Sequence, residues 1–221
     1  MKLKLTVAAL AAMLTVPAMA GTPDVVPTPA PEPAPAAEPV TIEIGASYSF
    51  ATKDMIDWSN HAGKKVHMLG GDITSLYAID ENNAATLRLG YGTGSATRTD
   101  EDYRMRYRLH TFSLMPGYRY SIKADDALTC YVGVSAGVTN SSLKFKATND
   151  FERIAAHGSE WGFGYSAEIG ASYAISEGVS IFLAYEFSGN SARPKLHTDE
   201  VWATANQQVY HTIRAGVSCQ F

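Results

Sequence analysis

The 221-residue chain carries 18 Lys and Arg against 22 Asp and Glu, a formal net charge of -4, with 46% hydrophobic and only 18% charged residues. That balance argues against nucleic acid as a partner, which requires a basic face, and two cysteines, Cys130 and Cys219, are too few for a disulfide scaffold in an exported chain. Composition alone fits a soluble β-sandwich and a membrane barrel equally well, so the arrangement of residues must separate them.

Residues 1–20 read as a secretory signal peptide: Lys2 and Lys4 give a positive start, Leu5 to Val16 is an apolar run, and Ala18-Met19-Ala20 is a small-x-small cleavage site. The run is too short to span a bilayer. Loss of Lys2 and Lys4 takes the net charge from -4 to -6. Residues 21–39, GTPDVVPTPAPEPAPAAEP, are dense in proline, which favours polyproline II and opposes helix or ladder. They are expected to form a periplasmic tether, a plain spacer or a docking segment. The remaining chain, residues 40–221, is expected to be one domain.

From Val40 the chain repeats a period of two, the mark of a strand with one apolar and one polar face. The first predicted strand sets Ile42, Ile44, Ala46, Tyr48 and Phe50 against Glu43, Gly45, Ser47 and Ser49. The second sets Leu69, Ile73, Tyr77 and Ile79 against Gly70, Asp72 and Thr74, with Leu76 out of pattern, and the third sets Leu87, Leu89 and Tyr91 against Arg88 and three small residues. The fourth ends on Phe112, Leu114, Pro116, Tyr118, Tyr120 and Ile122 opposite Ser113, Met115, Gly117, Arg119 and Ser121. The fifth alternates from Leu128 to Thr139, the sixth from Trp161 to Ile175, and the seventh from Val179 to Ser188. The eighth places Ile213, Ala215, Val217, Cys219 and Phe221 against Thr212, Arg214, Gly216, Ser218 and Gln220. Phase is lost at Leu109–Thr111 and Asn140–Leu143, where a β-bulge or a strand end leaving the membrane is expected.

Connections alternate in length. Asp80–Ala84, Lys123–Ala127 and Ser176–Gly178 are short; Ala51–Lys65, Ser95–Tyr103, Lys146–Glu160 and Gly189–Gln207 are long and polar. Short periplasmic turns and long external loops are the outer-membrane arrangement, which puts both termini in the periplasm.

The polar face decides between sandwich and barrel. A sandwich would show water many charges there, whereas this face is dominated by Gly, Ser and Thr, suited to a narrow, crowded interior. Its charges are few and of both signs: Glu43, Asp72, Glu168 and Glu186 with Arg88, Arg119 and Arg214. They are expected to form a lumenal ion-pair network, because a charge inside a closed barrel needs a partner. Arg214 is expected to contact Glu43 and Glu186 on the two flanking strands. Aromatics fall in two groups on the apolar face: Tyr48, Phe50, Tyr91, Trp161, Phe163, Tyr185 and Phe187 near the long loops, and Tyr77, Tyr118, Tyr120, Tyr173 and Phe221 near the short turns. Two such groups suit the two lipid–water interfaces.

With those features in hand, residues 40–221 resemble the small eight-stranded outer-membrane barrels of the OmpA and OmpX kind. The resemblance implies an all-β, antiparallel, up-and-down transmembrane barrel. It also implies that Ile213, Ala215, Val217, Cys219 and Phe221 act as the C-terminal signal read by the barrel-assembly machinery. The chain departs from OmpA in having its proline-rich segment before the barrel and no peptidoglycan-binding domain after it, so anchoring to peptidoglycan is not implied.

The expected role is a non-enzymatic, structural or surface-interaction one through four external loops, as a monomer in outer-membrane lipid and lipopolysaccharide, with a surface ligand or host factor as partner. No cofactor, metal or catalytic residue is expected. Arg104, Arg106 and Arg108 form a basic cluster at the outer end of the fourth strand, where lipopolysaccharide phosphates would lie, or where Asp100, Glu101 and Asp102 could pair with them. The alternatives are a narrow pore or a lipid-modifying enzyme. Acyl-transfer chemistry needs a Ser with a His base, and the nearest pair, His110 and Ser113, falls on opposite faces of a regular strand. Loop histidines His61, His157 and His197 lie near Asp54, Asp57, Asp150, Asp199 and Glu200, but no spacing matches a ligand motif.

Overall fold

Long runs of alternating residues with no proline-free helical period leave the chain one way to satisfy its backbone, by pairing strands. The computed structural model describes residues 40–52, 65–99, 104–148, 153–197 and 202–221. The segments 1–20 and 21–39, and the side chains of Asp54, Asp57, His61, Asp100, Glu101, Asp102, Asp150, Asp199 and Glu200, lie outside them.

In chain order the strands are β1 (Val40–Ala51), β2 (Met68–Ala78), β3 (Asn83–Thr99), β4 (Arg104–Lys123), β5 (Leu128–Thr148), β6 (Arg153–Ser176), β7 (Val179–Asn190), β8 (Lys195–His197), β9 (Trp202–Thr204) and β10 (Val209–Gln220). Eight of them close an antiparallel barrel in the order β1-β10-β7-β6-β5-β4-β3-β2, while β8 and β9 form a separate two-stranded ribbon. Closure runs through β1 and β10, from Thr41 opposite Gln220 to Ala51 opposite Tyr210. A closed barrel leaves no unpaired edge, which is the condition for crossing lipid with strands.

One end carries the chain's Val40 and Phe221 and the short turns; the other carries the long connections. At the turn end Asp80 accepts hydrogen bonds from the Asn82 and Asn83 amides, each 2.9 Å. Gly178 closes the β6–β7 turn at φ 72°, a left-handed conformation that a side chain disfavours.

Of the two causes expected for the lost phase, a β-bulge or a strand end leaving the membrane, the bulge is corrected here, and so are the bounds of two long connections. Neither Leu109–Thr111 nor Asn140–Leu143 is a bulge: β4 pairs with β5 in one register from Arg104 opposite Thr148 to Lys123 opposite Thr129. The pairing of β5 with β6 likewise runs unbroken from Leu128 opposite Tyr173 to Thr148 opposite Arg153. The only register shift among the described barrel pairings is in β6–β7, between Ala174 and Ser176. Consequently most of 95–103 and 146–160, expected as loops, is strand. The faces never slip; their polarity swaps. Leu109, Leu143, Phe145 and Ala147 remain on the buried interior face, and Arg108, Lys144 and Lys146 on the exposed exterior. A search for a continuing apolar exterior breaks where the exterior solvent changes from hydrocarbon to water.

Candidate functional site: the lumen and the loop end

The exterior of the turn-end half is apolar: Val134 and Ile169 are each 60% exposed and Leu183 61%. The aromatics of both expected groups, from Tyr48 and Trp161 to Tyr77 and Phe221, are exposed as well. Near the loop end they stack with histidines. Tyr91 shares a 2.7 Å hydrogen bond with His110 Nδ1, and Tyr185 bonds to His211 Nδ1. His67 stacks on Tyr48. His110 is thus held on the exterior while Ser113 lines the lumen. Cys130 and Cys219 are both free.

With the exterior facing lipid, polar side chains collect inside. Glu43, Asp72, Arg88, Arg119, Glu168, Glu186 and Arg214 are all buried, and they interlock. Arg119 on β4 reaches across to Glu43 on β1, Nη1 to Oε1 at 2.5 Å and Nη2 to Oε2 at 3.0 Å, and also donates to Glu168 at 2.9 Å. Arg88 on β3 forks between Glu168 on β6, at 2.5 Å, and Glu186 on β7, in the facing wall. Arg214 on β10 grips Asp72 on β2, with Nε at 3.1 Å, and reaches Glu168 at 2.6 Å. Glu168 therefore gathers all three guanidiniums. Directly opposite Glu168 on the neighbouring strand stands Glu186. Like charges so placed repel, and the Arg88 fork is what holds them together. Arg119 also lies over the Tyr131 ring, 4.0 Å to its centroid, which fills the lumen with Phe182 and Met115.

The expected partners of Arg214 are corrected. Glu43 stands opposite Ser218, not Arg214, on the closing pair. Four residues of strand separate those levels by about 13 Å, so Glu43 falls to Arg119 instead. Glu186 is taken by Arg88. In a narrow lumen a long side chain points across the axis rather than along its own wall, and the carboxylates it meets come from non-neighbouring strands.

Toward the loop end the interior becomes apolar. Ala51, Val66, Met68, Leu109, Leu143, Phe145, Ala147, Ala156 and Leu196 form one buried cluster. The 191–197 segment folds inward to complete it, with Ser191 bridging the Phe163 amide and carbonyl of β6. Gly158 and Gly162 make room: a Cβ on Gly158 would lie 2.1 Å from the Lys195 carbonyl oxygen, and one on Gly162 would lie 2.4 Å from the Ala192 nitrogen. Between this apolar cap and the ion pairs lies a cavity of about 110 Å³ bordered by Arg88, Glu186, Arg214, Asn190 and Tyr210.

On the exterior of the same end, Arg104, Arg106 and Arg108 are exposed, and the register adds two residues that sequence reading missed: Lys146 stands opposite Arg106 and Lys144 opposite Arg108. His157, opposite Lys144, extends the patch onto β6. Following the parity of β5 through Asn140 without assuming a bulge would have found both lysines. Ile213, Ala215 and Val217 face outward with Phe221 at the turn end, and Cys219 lies beside them half-buried. Among the described residues no group of three His, Cys, Asp or Glu is placed to hold a metal ion.

The family model described as "Outer membrane protein beta-barrel domain" matches residues 6–221. No curated protein matches the chain by sequence. Among solved structures, OprG from Pseudomonas aeruginosa is similar at TM-score 0.53 and 12% identity, over 84% of this chain and 96% of that one. The outer membrane protease OmpT from Escherichia coli is similar at TM-score 0.52 and 10% identity, over 84% and 98%. Neisserial surface protein A reaches TM-score 0.50 at 13% identity, over 82% and 97%. At these identities the likeness is one of fold.

Proposed function

The chain belongs to the outer-membrane protein β-barrel domain family, and on that premise we propose that it is a non-enzymatic surface protein, a plugged barrel whose loop end engages anionic groups of the outer leaflet. The turn end, with both termini, faces the periplasm; residues 1–20 are removed and residues 21–39 tether the barrel there. The terminal strand, through Ile213, Ala215, Val217, Cys219 and Phe221, is the assembly signal.

The observation that carries the reading is the doubled basic patch. Like charges placed directly across a strand pair destabilise it, yet Arg106 faces Lys146 and Arg108 faces Lys144. Phosphates of lipopolysaccharide would bridge such pairs with charge-assisted hydrogen bonds, for which guanidinium is well suited. The patch lies on the loop-end side of the exterior aromatics Phe112 and Trp161. Binding is tested with the barrel in phosphatidylcholine vesicles with and without purified lipopolysaccharide. Arg106→Gln with Lys146→Gln should weaken lipopolysaccharide binding while leaving the barrel as stable or more so in neutral lipid. Unchanged binding would overturn the reading. A cysteine placed at Lys144 should be labelled by an impermeant reagent in intact cells and one at Asp125 should not; the reverse would invert the orientation.

The narrow-pore alternative conflicts with three guanidiniums barring the lumen, and planar-bilayer recordings of large, stable conductance would restore it. For an enzyme, no described histidine bonds to a serine: His110 and His211 are occupied by tyrosines.

A further inference from the structure

The buried network contains four carboxylates, Glu43, Asp72, Glu168 and Glu186, against three guanidiniums, Arg88, Arg119 and Arg214. One negative charge is left over. Glu43 receives both Arg119 terminal nitrogens, Asp72 two nitrogens of Arg214 and the Thr74 hydroxyl, and Glu168 three arginines. Glu186 is met by one nitrogen of Arg88. The surplus therefore resides at Glu186, and Glu186 borders the cavity of about 110 Å³ beneath the apolar cap.

Three buried side-chain atoms of residues bordering that cavity have no protein partner: the Arg88 Nε, the Tyr210 hydroxyl and the Asn190 Oδ1. The Tyr210 hydroxyl and the Asn190 Oδ1 are buried and unbonded, and each residue is 96% buried, with 4% exposure. A buried polar atom is ordinarily satisfied, so both point to something held in the chamber. Ser188 stands between them, directly across from Tyr210. A cavity of that volume has room for an ion together with several waters. Asp72 and the guanidiniums of Arg88 and Arg214 share that wall, with Asp72 taken by Arg214, so the surrounding network offers a single negative charge in excess beside neutral oxygens, and among the described residues no trio of His, Cys, Asp or Glu; that balance suits a singly charged ion.

We propose that this chamber is a binding site for one partly hydrated monovalent cation, whose charge is balanced by Glu186 and whose waters are held by Tyr210 and Asn190. It completes the neutralisation that the arginines leave unfinished and fixes the Glu186 side of the Arg88 fork. The proposal is independent of what the exterior patch binds.

Crystals of the full chain grown in rubidium chloride test it by anomalous scattering. A peak in the chamber beside Glu186 is expected, weakened in Tyr210→Phe and lost in Glu186→Gln, which leaves three carboxylates on three guanidiniums. In parallel, the thermal unfolding midpoint in neutral detergent should rise saturably with rubidium chloride and not with N-methylglucamine chloride at equal ionic strength. A chamber without a peak, a peak only at the surface, or a peak that persists unchanged in both variants would overturn the site. If Glu186→Gln does not fold, Tyr210→Phe decides alone, since its hydroxyl has no protein partner to lose; an undiminished peak and midpoint shift in that variant count against the proposal.

Discussion

The two ends of this barrel are built inside out relative to each other. In the turn-end half the exterior is Val, Ile and Leu and the interior holds seven buried charges. In the loop-end half the exterior carries Arg104, Arg106, Arg108, Lys144 and Lys146, while Leu143 and Val66 inside are fully buried. The β4–β5 and β5–β6 pairings pass through both halves without a slip in register, so the backbone is indifferent to the change. What changes is the exterior solvent. Against hydrocarbon, apolar residues belong outside and polar ones must find each other within; against water, the order reverses and an ordinary dry core forms. The point of reversal marks the membrane surface.

The sharpest way to break this comparison is to remove a guanidinium from each half. Arg214→Ala strands Asp72 in the lumen and should cost about 3–5 kcal/mol in urea unfolding from lipid vesicles, whereas Arg106→Ala should stay within about 0.5 kcal/mol. Equal losses would erase the distinction between a buried network and a solvated patch. Removing apolar bulk should give the opposite ranking. Leu143→Ala opens a cavity in the loop-end core and should cost about 2–4 kcal/mol, while Leu183→Ala, on the lipid face, should cost far less because acyl chains fill the space.

Adding a charge along one strand locates the boundary. Val134→Arg, on the lipid face of β5, should cost about 2–4 kcal/mol; Ser142→Arg, farther along the same face, should be close to neutral. Were the two alike, the polarity reversal would not be a membrane surface. A smaller effect is expected at the cap. Gly158→Ala places a Cβ against the Lys195 carbonyl and should loosen the 191–197 segment, read as faster hydrogen exchange at the Ala205 amide, which bonds to Pro194. Amides of β1 and β10 should keep their protection.

The smallest effect is at the turn end. Hydrogen bonds from the Asn82 amide and from the Asn83 side chain hold the Asp80 carboxyl below the usual carboxylate range. A lowered folded-state value means stability that is complete above the ordinary value of about 4 and is lost as pH falls through the lowered one. Asp80→Ala should therefore lower stability slightly at neutral pH, flatten the acid limb of the stability curve and leave stability below the lowered value unchanged; a loss of equal size at neutral and at acid pH would contradict the assignment.

The strands of the lipid-spanning half were legible because one physical rule acts on them uniformly. Period two with an apolar exterior recurs in every barrel strand, so which residues face lipid followed from parity, as did the inward direction of Glu43, Asp72 and Arg214. The same rule misled where it ceased to apply. Leu109 and Leu143 looked like slips because a strand that keeps its register while its surroundings invert resembles, in one dimension, a strand that slips.

The amino-acid sequence by itself determined the strands, the closed barrel and which side chains share its lumen, since alternation and turn spacing are local. Only the tertiary structure decided who meets whom inside: that Arg88 spans the lumen to Glu186, that Arg119 rather than Arg214 takes Glu43, that Lys144 and Lys146 stand opposite arginines, and that Tyr210 and Asn190 border one chamber. Those meetings depend on register and on reach across an axis, and both are set by the closing of β1 on β10, a contact between the two ends of the domain that no local pattern encodes.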